Sequence, residues 1–399
     1  MKKLLLAPDT LFLKTPDGKY WSDTIYSYSF FQRYMSVFEK LIIVSRCRDA
    51  SYDEVKNFLR SDGPNIEIRE IPAMQGMAAY IKNIVAFSKS AKAACSGVDC
   101  GLIRLPSVPA AMVLHYFKKL KKPYALEIVA DPYDAYATNK IARLFFTWHM
   151  KRECLYADGV SYVTKEYLQK KYPSHNRKYL KTDYGYFESY YSTIRLSDGY
   201  FSLPRDYSKK KHFEIIHTAN NMNNALKGHE ILIKSAKKVL DKGYDIDVKF
   251  IGDGSLRKDL EKLSEQLGIN DKVHFIGKLA NPEEIRNHLL KADLFVFPTK
   301  AEGLPRSIIE AMAVGLPCIS TPVAGIPELL EKDDMLDPEN IDLFARRIED
   351  FITNVDLMNE KSKRNIKIAK NYRESVLKKR RDEFYQKLKN LAEKSYEGV

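Results

Sequence analysis

Two glutamates eight residues apart, Glu302 and Glu310, flank a proline within FPTKAEGLPRSIIEAMAVGLPCISTPVAGIPE, the run from Phe297 to Glu328. Its pattern predicts a strand at Leu294–Phe297, a loop, a helix opened by Pro305 and a short strand at Cys318–Ser320. A helix start attracts anions, because unpaired N–H groups and the macrodipole point outward there. Pro305 suits the first helical position, where its missing N–H costs nothing, and Gly303 leaves room for a ligand to approach the backbone. Carboxylates repel a bare phosphate, so acids at such a place are better suited to hydroxyls. A helix end for a diphosphate with acids for sugar hydroxyls describes a nucleotide-sugar site. The same glutamates also fit as ordinary dipole partners of the helix.

Strand-like and helix-like stretches alternate along the chain, which predicts parallel sheets covered by helices on both faces. In the first half, strands are expected near Lys3–Ala7, Lys40–Ser45, Ile66–Ile71, Leu102–Leu105, Tyr124–Val129 and Gly159–Val163, with helices such as Tyr28–Phe38 and Met77–Ala94. The polar segment Leu203–His212 reads as a linker. A second series follows, with strands at Phe213–Thr218, Asp247–Ile251, Val273–Ile276, Leu294–Phe297 and Cys318–Ser320. Its helices fall near Gly228–Lys242, Ser255–Leu267 and Pro282–Leu290, and residues 340–397 are helical throughout. The fold class is α/β, with doubly wound domains at 1–205 and 206–375, and a C-terminal helix at 376–399 crossing back to the first. Open sheets of this kind bind ligands beyond the carboxyl ends of their strands, here in a cleft between the two domains.

The segments IIHTANN, LKGHEILIKSAKKVL, VKFIGDGSLRKDLEKL, VHFIGKL and ADLFVFPT stand in order over roughly 213–330. With Glu302 and Glu310 they resemble the donor half of retaining GT-B glycosyltransferases of the group-one family, polysaccharide-biosynthesis type, whose signature is E-x(7)-E. The N-terminal half matches weakly. The resemblance implies that Lys227 contacts the donor diphosphate. Glu302 then binds the transferred sugar, Glu310 the ribose, and the Gly303, Leu304 and Pro305 backbone lies close to sugar and phosphate. It further implies that Asn220, Asn221, Gly252 and Gly254 line the nucleotide pocket and that Gly277, Lys278 and Leu279 cradle the base.

One departure stands out. The family has an arginine after the first strand of this domain, whereas this chain has Asn220, Asn221, Asn223 and Asn224, with no arginine between Lys211 and Lys227. An amide donates hydrogen bonds but carries no charge. Arg306, in the first turn of the signature helix, is the candidate replacement; it could equally pair with Glu302 or Glu310. On the acceptor side the resemblance selects Asp131 after the fifth strand as a catalytic candidate, with Asp134 second, although a turn aspartate before Pro132 fits as well. Asp17-Gly18 reads as a turn, and Tyr20 and Trp21 could stack on a sugar ring. Glu328 reads as a helix-start residue. The implied reaction is front-face sugar transfer with retention, the donor phosphate helping to deprotonate the acceptor.

The length of 399 residues favours two domains, and 45% hydrophobic content is ordinary for a folded protein. No run of about twenty apolar residues predicts a spanning helix. MKKLLLAPDTLF reads as a first strand rather than a signal peptide, Asp9 interrupting its apolar run. Five scattered cysteines without a C-x-x-C pair point to reduced thiols in a cytoplasmic protein. Residues 1–205 carry 31 Lys and Arg against 20 Asp and Glu, whereas residues 206–399 carry 34 against 32. A basic first half could meet a phosphate-bearing acceptor or an anionic membrane face; nucleic acid is disfavoured because the aromatics lack a recognisable spacing. Asp245-Ile-Asp247 spells a D-x-D but lies at the far end of its strand, so no metal and no cofactor are expected. The expected partners are a UDP- or GDP-sugar donor and a glycan or lipid-linked acceptor. An inactive sugar-nucleotide-binding subunit and an epimerase of the same fold are the alternatives.

Overall fold

Leu4–Leu6 and Leu41–Val44 are apolar at every position, a pattern that suits strands covered on both faces rather than one. In the computed structural model, which describes residues 2–74, 79, 82–136, 139–179, 185–279 and 281–397, all of these side chains are buried at the centre of a parallel sheet. The chain divides into two compact units: Met1–Tyr191 with Lys378–Val399, and Ser192–Leu377.

Among the described residues the first unit holds ten strands in one sheet. These are β1 (Lys3–Ala7), β2 (Leu11–Lys14), β3 (Tyr20–Ser22), β4 (Lys40–Asp49), β5 (Leu59–Arg60), β6 (Ile66–Pro72), β7 (Cys100–Leu105), β8 (Tyr124–Ile128), β9 (Gly159–Tyr162) and β10 (Phe187–Tyr190). The order β6-β4-β1-β7-β8-β9-β10 is parallel throughout, so β1 lies where the winding direction reverses. Helices α1 (Ile84–Ala94), α2 (Val108–Lys118) and α3 (Lys140–Tyr156) fill the crossovers. A side arm, β2-β3-β5, pairs onto β4 and was not expected from the sequence; its antiparallel part turns at Asp17-Gly18, where Gly18 takes φ +77°. Tyr20 and Trp21 are built into this arm, the Tyr20 hydroxyl donating to Glu70 (2.7 Å) and the Trp21 indole to Thr15 (3.0 Å).

The second unit holds a parallel five-stranded sheet, order β13-β12-β11-β14-β15, with β11 (Phe213–Asn221), β12 (Ile246–Asp253), β13 (Val273–Gly277), β14 (Leu294–Val296) and β15 (Cys318–Ile319). Helices α4 (His229–Asp241), α5 (Arg257–Gln266), α6 (Pro282–Lys291) and α7 (Arg306–Ala313) alternate with them. Three helices close the chain: α8 (Ile341–Thr353), α9 (Val355–Ala369) and α10 (Glu374–Glu397). No helix among the described residues is long and apolar enough to cross a membrane.

Several expectations need correction. Tyr28–Phe38 is α-helical only over Tyr28–Phe31 and continues as turns. The opening of the helix predicted at 77–94 lies outside the described residues; its described part is α1. Leu203–His212 is no free linker, for Arg205 and Tyr207 anchor it within the second unit. The Arg205 guanidinium reaches carbonyls at the ends of two helices, Leu289 (2.8 Å), Ala292 and Val314 (2.9 Å). Those carbonyls lack helical partners and carry the negative end of the dipole, so a half-buried fork of donors satisfies both needs. The buried Tyr207 donates its hydroxyl to the Asp293 carbonyl (3.0 Å).

Within the first unit, Tyr385 of α10 stacks on Tyr34 (5.1 Å between centroids) and donates to Glu127 (3.0 Å). Glu127 on β8 faces Arg104 on the neighbouring β7, both almost fully buried, and also accepts from the Tyr191 hydroxyl (3.0 Å). The two tyrosine hydroxyls give the buried Glu127 carboxylate further partners besides Arg104, which offsets part of the cost of burying the pair.

Candidate functional site

β11 lies between β12 and β14, so the chain leaving β11 winds one way and the chain leaving β14 the other. A parallel sheet opens a crevice at this reversal, beyond the strand ends. Two loops meet there: 222–228 after β11 and 297–305 after β14.

Their contact is dictated by glycine. Gly228 takes φ +73°, and a Cβ built on it would stand 2.0 Å from the Pro298 carbonyl oxygen. Only a residue without a side chain allows the two backbones this approach. The Lys300 N–H then donates to the Leu226 carbonyl (2.7 Å), and the Thr299 hydroxyl lies 3.1 Å from the same oxygen. Beneath them the His217 ring holds the Lys227 carbonyl through Nε2 (2.8 Å). A carbonyl can only accept, so Nε2 carries the proton; burial holds the His217 pKa well below the ordinary range, with His229 adding to the effect.

The outcome is that the Lys227 ammonium forms an ion pair with Glu302, contacts the Ala301 carbonyl (3.3 Å) and sits 5.7 Å from the centre of the Phe297 ring. Glu302 is 12% exposed and Lys227 30%. Just beyond, α7 begins at Arg306 with Pro305 as its N-cap rather than its first residue, and no side chain caps its first turn. The helix start is therefore open to an anion. Leu304 and Pro305 are buried, and the Gly303 carbonyl accepts from the Gly325 N–H (2.9 Å). One turn along, burial pushes the Glu310 carboxyl up to about 7, the Arg306 charge pulling the other way. Among the described residues Arg306 forms no ion pair with either glutamate; Glu302 has taken Lys227 instead.

The loops after β12 and β13 complete the edge. Gly252 takes φ +136°, and a Cβ there would stand 1.7 Å from the Ala219 carbonyl oxygen. A Cβ on Gly254 would meet Asn223 Oδ1 at 2.5 Å, the atom that accepts the Ser255 N–H (2.9 Å). Asn223 thus ties the loop after β11 to the turn that enters α5, whose N-cap is Leu256. Gly277, φ +89°, pairs in register with Ile251 and Gly252. Asn220, Asn221 and Lys278 are exposed, and Leu279 is half-buried. Lys227, Glu302, Arg306, Glu310, the asparagines and the glycine turns therefore share the carboxyl edge of one sheet. Asp245 and Asp247 lie at the opposite end of β12, tied to His212 and Lys272. Among the described residues no group of three or more His, Cys, Asp or Glu could hold a metal ion. Glu328 ends a short 3₁₀ turn, Ile326–Glu328.

Asp131 stands apart from the second sheet in the chain's division. It belongs to the first unit, is fully buried, and accepts from the Tyr133 N–H (2.9 Å), the Tyr167 and Tyr172 hydroxyls and Lys171. A carboxylate with every lone pair engaged and no exposed surface is an anchor, not a group that touches substrate. The side chain of Asp134 lies outside the described residues. At the reversal point of the first sheet stands a residue the sequence reading passed over, Asp9, which follows β1 and pairs with Arg46 (2.9 Å). Its side chain is about half exposed, at 48%. Its signal was position, immediately beyond the first strand. Thr299, His217 and Tyr200 were missed too; Tyr200, whose pKa rises through burial and the Glu310 charge, is held by Arg286 through its carbonyl (3.0 Å).

Residues 202–372 match the family described as Glycosyl transferases group 1. Protein CapJ of Staphylococcus aureus is 26% identical over 321 residues, which covers 79% of this chain and 78% of CapJ. The putative colanic acid biosynthesis glycosyltransferase WcaL of Escherichia coli (strain K12) is 34% identical over 122 residues, 29% of this chain and 30% of WcaL. Among solved structures, Anabaena Alr3699/HepE in complex with UDP-glucose aligns over 100% of both chains, with TM-score 0.64 and 15% identity.

Proposed function

We propose, from a second unit that matches the group-1 glycosyl transferases within a chain of GT-B fold, that this protein moves a sugar from a nucleotide-sugar donor to a glycan or lipid-linked acceptor in polysaccharide assembly. The observation that carries the reading is the meeting of Lys227 and Glu302 at the reversal point of the second sheet, in front of the uncapped start of α7. The names of WcaL and the HepE complex support a polysaccharide setting and a UDP-sugar donor.

In this reading the donor diphosphate takes the α7 start and draws Lys227 away from Glu302, whose carboxylate is then free to accept from sugar hydroxyls. Glu310 accepts from the ribose. Gly252, Gly254, Gly277, Lys278 and Leu279 surround the base, with Asn220 and Asn221 at the rim. Charge develops on the departing diphosphate, so preorganised cations and N–H groups lower the barrier most. Arg306, left without an ion-pair partner, is the second cation, and the transfer needs no metal. Retention follows if the donor phosphate takes the acceptor proton on the face the diphosphate leaves.

The test is release of nucleoside diphosphate by the purified chain across UDP-, GDP- and ADP-sugars, with anomeric configuration of the product read by NMR. Turnover with one base and a retained anomer is expected. Binding without release under any acceptor would sink the enzyme reading in favour of a sugar-nucleotide-binding subunit.

A further inference from the structure

Helix α3 buries Ala142, Phe146 and Met150 on one side, as a helix on a sheet should. Its opposite side is not polar. Ile141 is 82% exposed, Leu144 71%, Trp148 55% and Phe145 51%. Their three- and four-residue spacing puts these side chains on one stripe. Beside the stripe, α1, α2 and α3 enclose an apolar groove of about 940 Å3 whose walls include Ile84, Val108, Met112 and Phe145.

The far end of the groove changes character. Lys119 and Arg152 border it, and a neighbouring hollow of about 520 Å3 shares Arg152 and adds Lys121. All three are exposed cations. Of the acids nearby, Glu153 pairs with Lys118 (2.7 Å), and Asp158, on the wall of the second hollow, accepts the Tyr124 N–H (2.8 Å). The Arg152 guanidinium lies 5.6 Å from the centre of the Trp148 ring and 5.8 Å from that of Tyr156. An apolar stripe, a tryptophan at its border and unneutralised lysine and arginine alongside form the composition of a helix that lies in a lipid headgroup layer. The excess of positive charge is complementary to anionic phosphates.

We propose that this face of the first unit docks on an anionic phospholipid bilayer. Ile141, Leu144, Phe145 and Trp148 enter the acyl boundary, and Lys119, Lys121 and Arg152 contact the phosphates. The inference goes beyond sugar transfer and does not depend on it, so vesicle binding and donor turnover succeed or fail separately.

The experiment is flotation of the full chain with vesicles of phosphatidylcholine, with and without phosphatidylglycerol. Binding is expected only to the anionic vesicles, falling with added salt. Ile141→Ser with Leu144→Ser and Trp148→Ser, and separately Lys119→Glu with Lys121→Glu and Arg152→Glu, should each weaken it about tenfold or more. Both variants should melt as the parent does, because the altered side chains are exposed. Tryptophan emission of the unaltered chain should be quenched by brominated acyl chains, a readout that survives any misfolded variant. Absence of that quenching, equal binding to neutral vesicles, or unchanged binding by a folded apolar variant would overturn the proposal. So would self-association that the apolar variant abolishes in a chain that ignores vesicles, since the face would then mate with a second copy.

Discussion

Lys227 and Glu302 neutralise each other in this structure, yet the proposed reaction needs them apart, one on phosphate and one on sugar. Binding must therefore exchange one charge partner for another, and the lysine is worth most when charge builds on the leaving group. Lys227→Met should lower kcat about 100-fold or more with a smaller change in donor KM, measured by steady-state kinetics. Arg306→Ala should act in the same direction; an unchanged kcat would remove it from the mechanism. Glu310 makes a pH prediction. Its carboxyl, ordinarily at 4.5, is raised to about 7 by burial, so the folded state holds the proton more tightly than the unfolded chain. That contribution to stability is full below pH 4.5 and is lost as pH rises through about 7. Donor hydroxyls need the carboxylate, so the trend in binding runs the other way. Donor KM should rise roughly tenfold from one unit above the Glu310 pKa of about 7 to one unit below it, and Glu310→Gln should flatten the profile.

At the scale of elements, the site depends on loops that only glycine lets touch. Gly228→Ala meets both a left-handed backbone and the Pro298 carbonyl. It should cost about 2 kcal/mol or more in urea unfolding. Gly243→Ala, at φ +86° with nothing within 4 Å, isolates the backbone term and should cost about 1 kcal/mol. If the two cost the same, close approach to Pro298 does not hold the site. Arg205 is the other device, a side chain closing α6 and α7 from a segment whose composition resembles a linker. Arg205→Met leaves three carbonyls without their donor and should destabilise the second unit by roughly 3 kcal/mol, seen as an earlier transition for that unit.

For the whole molecule, the last helix is part of the first unit's core. Phe384, Tyr385, Leu388 and Ala392 are buried, and the Tyr385 hydroxyl is one of the bonds that saturate Glu127. Tyr385→Phe should cost about 1 kcal/mol. A chain ending at Leu377 should lose protease resistance in the first unit while the second stays protected. Protection of both units would show that α10 is dispensable.

Much of the fold was legible because local chemistry dictates it. Apolar runs such as Leu41–Val44 make sense only as strands buried on both faces, and proline before a helical run, as at Pro282 and Pro305, marks a helix start to within a residue. The side arm at β2-β3-β5 was not legible, since its short strands lack the length and alternation that carry a signal. Nor was the shortened helix at Tyr28, whose aromatics face a core formed by distant chain. The site divides along the same line. Residue types at α7 and the glycine turns by themselves marked one edge of the second sheet as the candidate site. Pairing decided the rest: Lys227 and Glu302 lie 75 residues apart in sequence, and Asp131 lost its candidacy to tyrosines and a lysine some forty residues on. Sequence determined which groups could meet an anion, because backbone preference and side-chain chemistry are local. Tertiary structure alone decided which charges are free, because neutralisation depends on neighbours that only the wound sheets bring together.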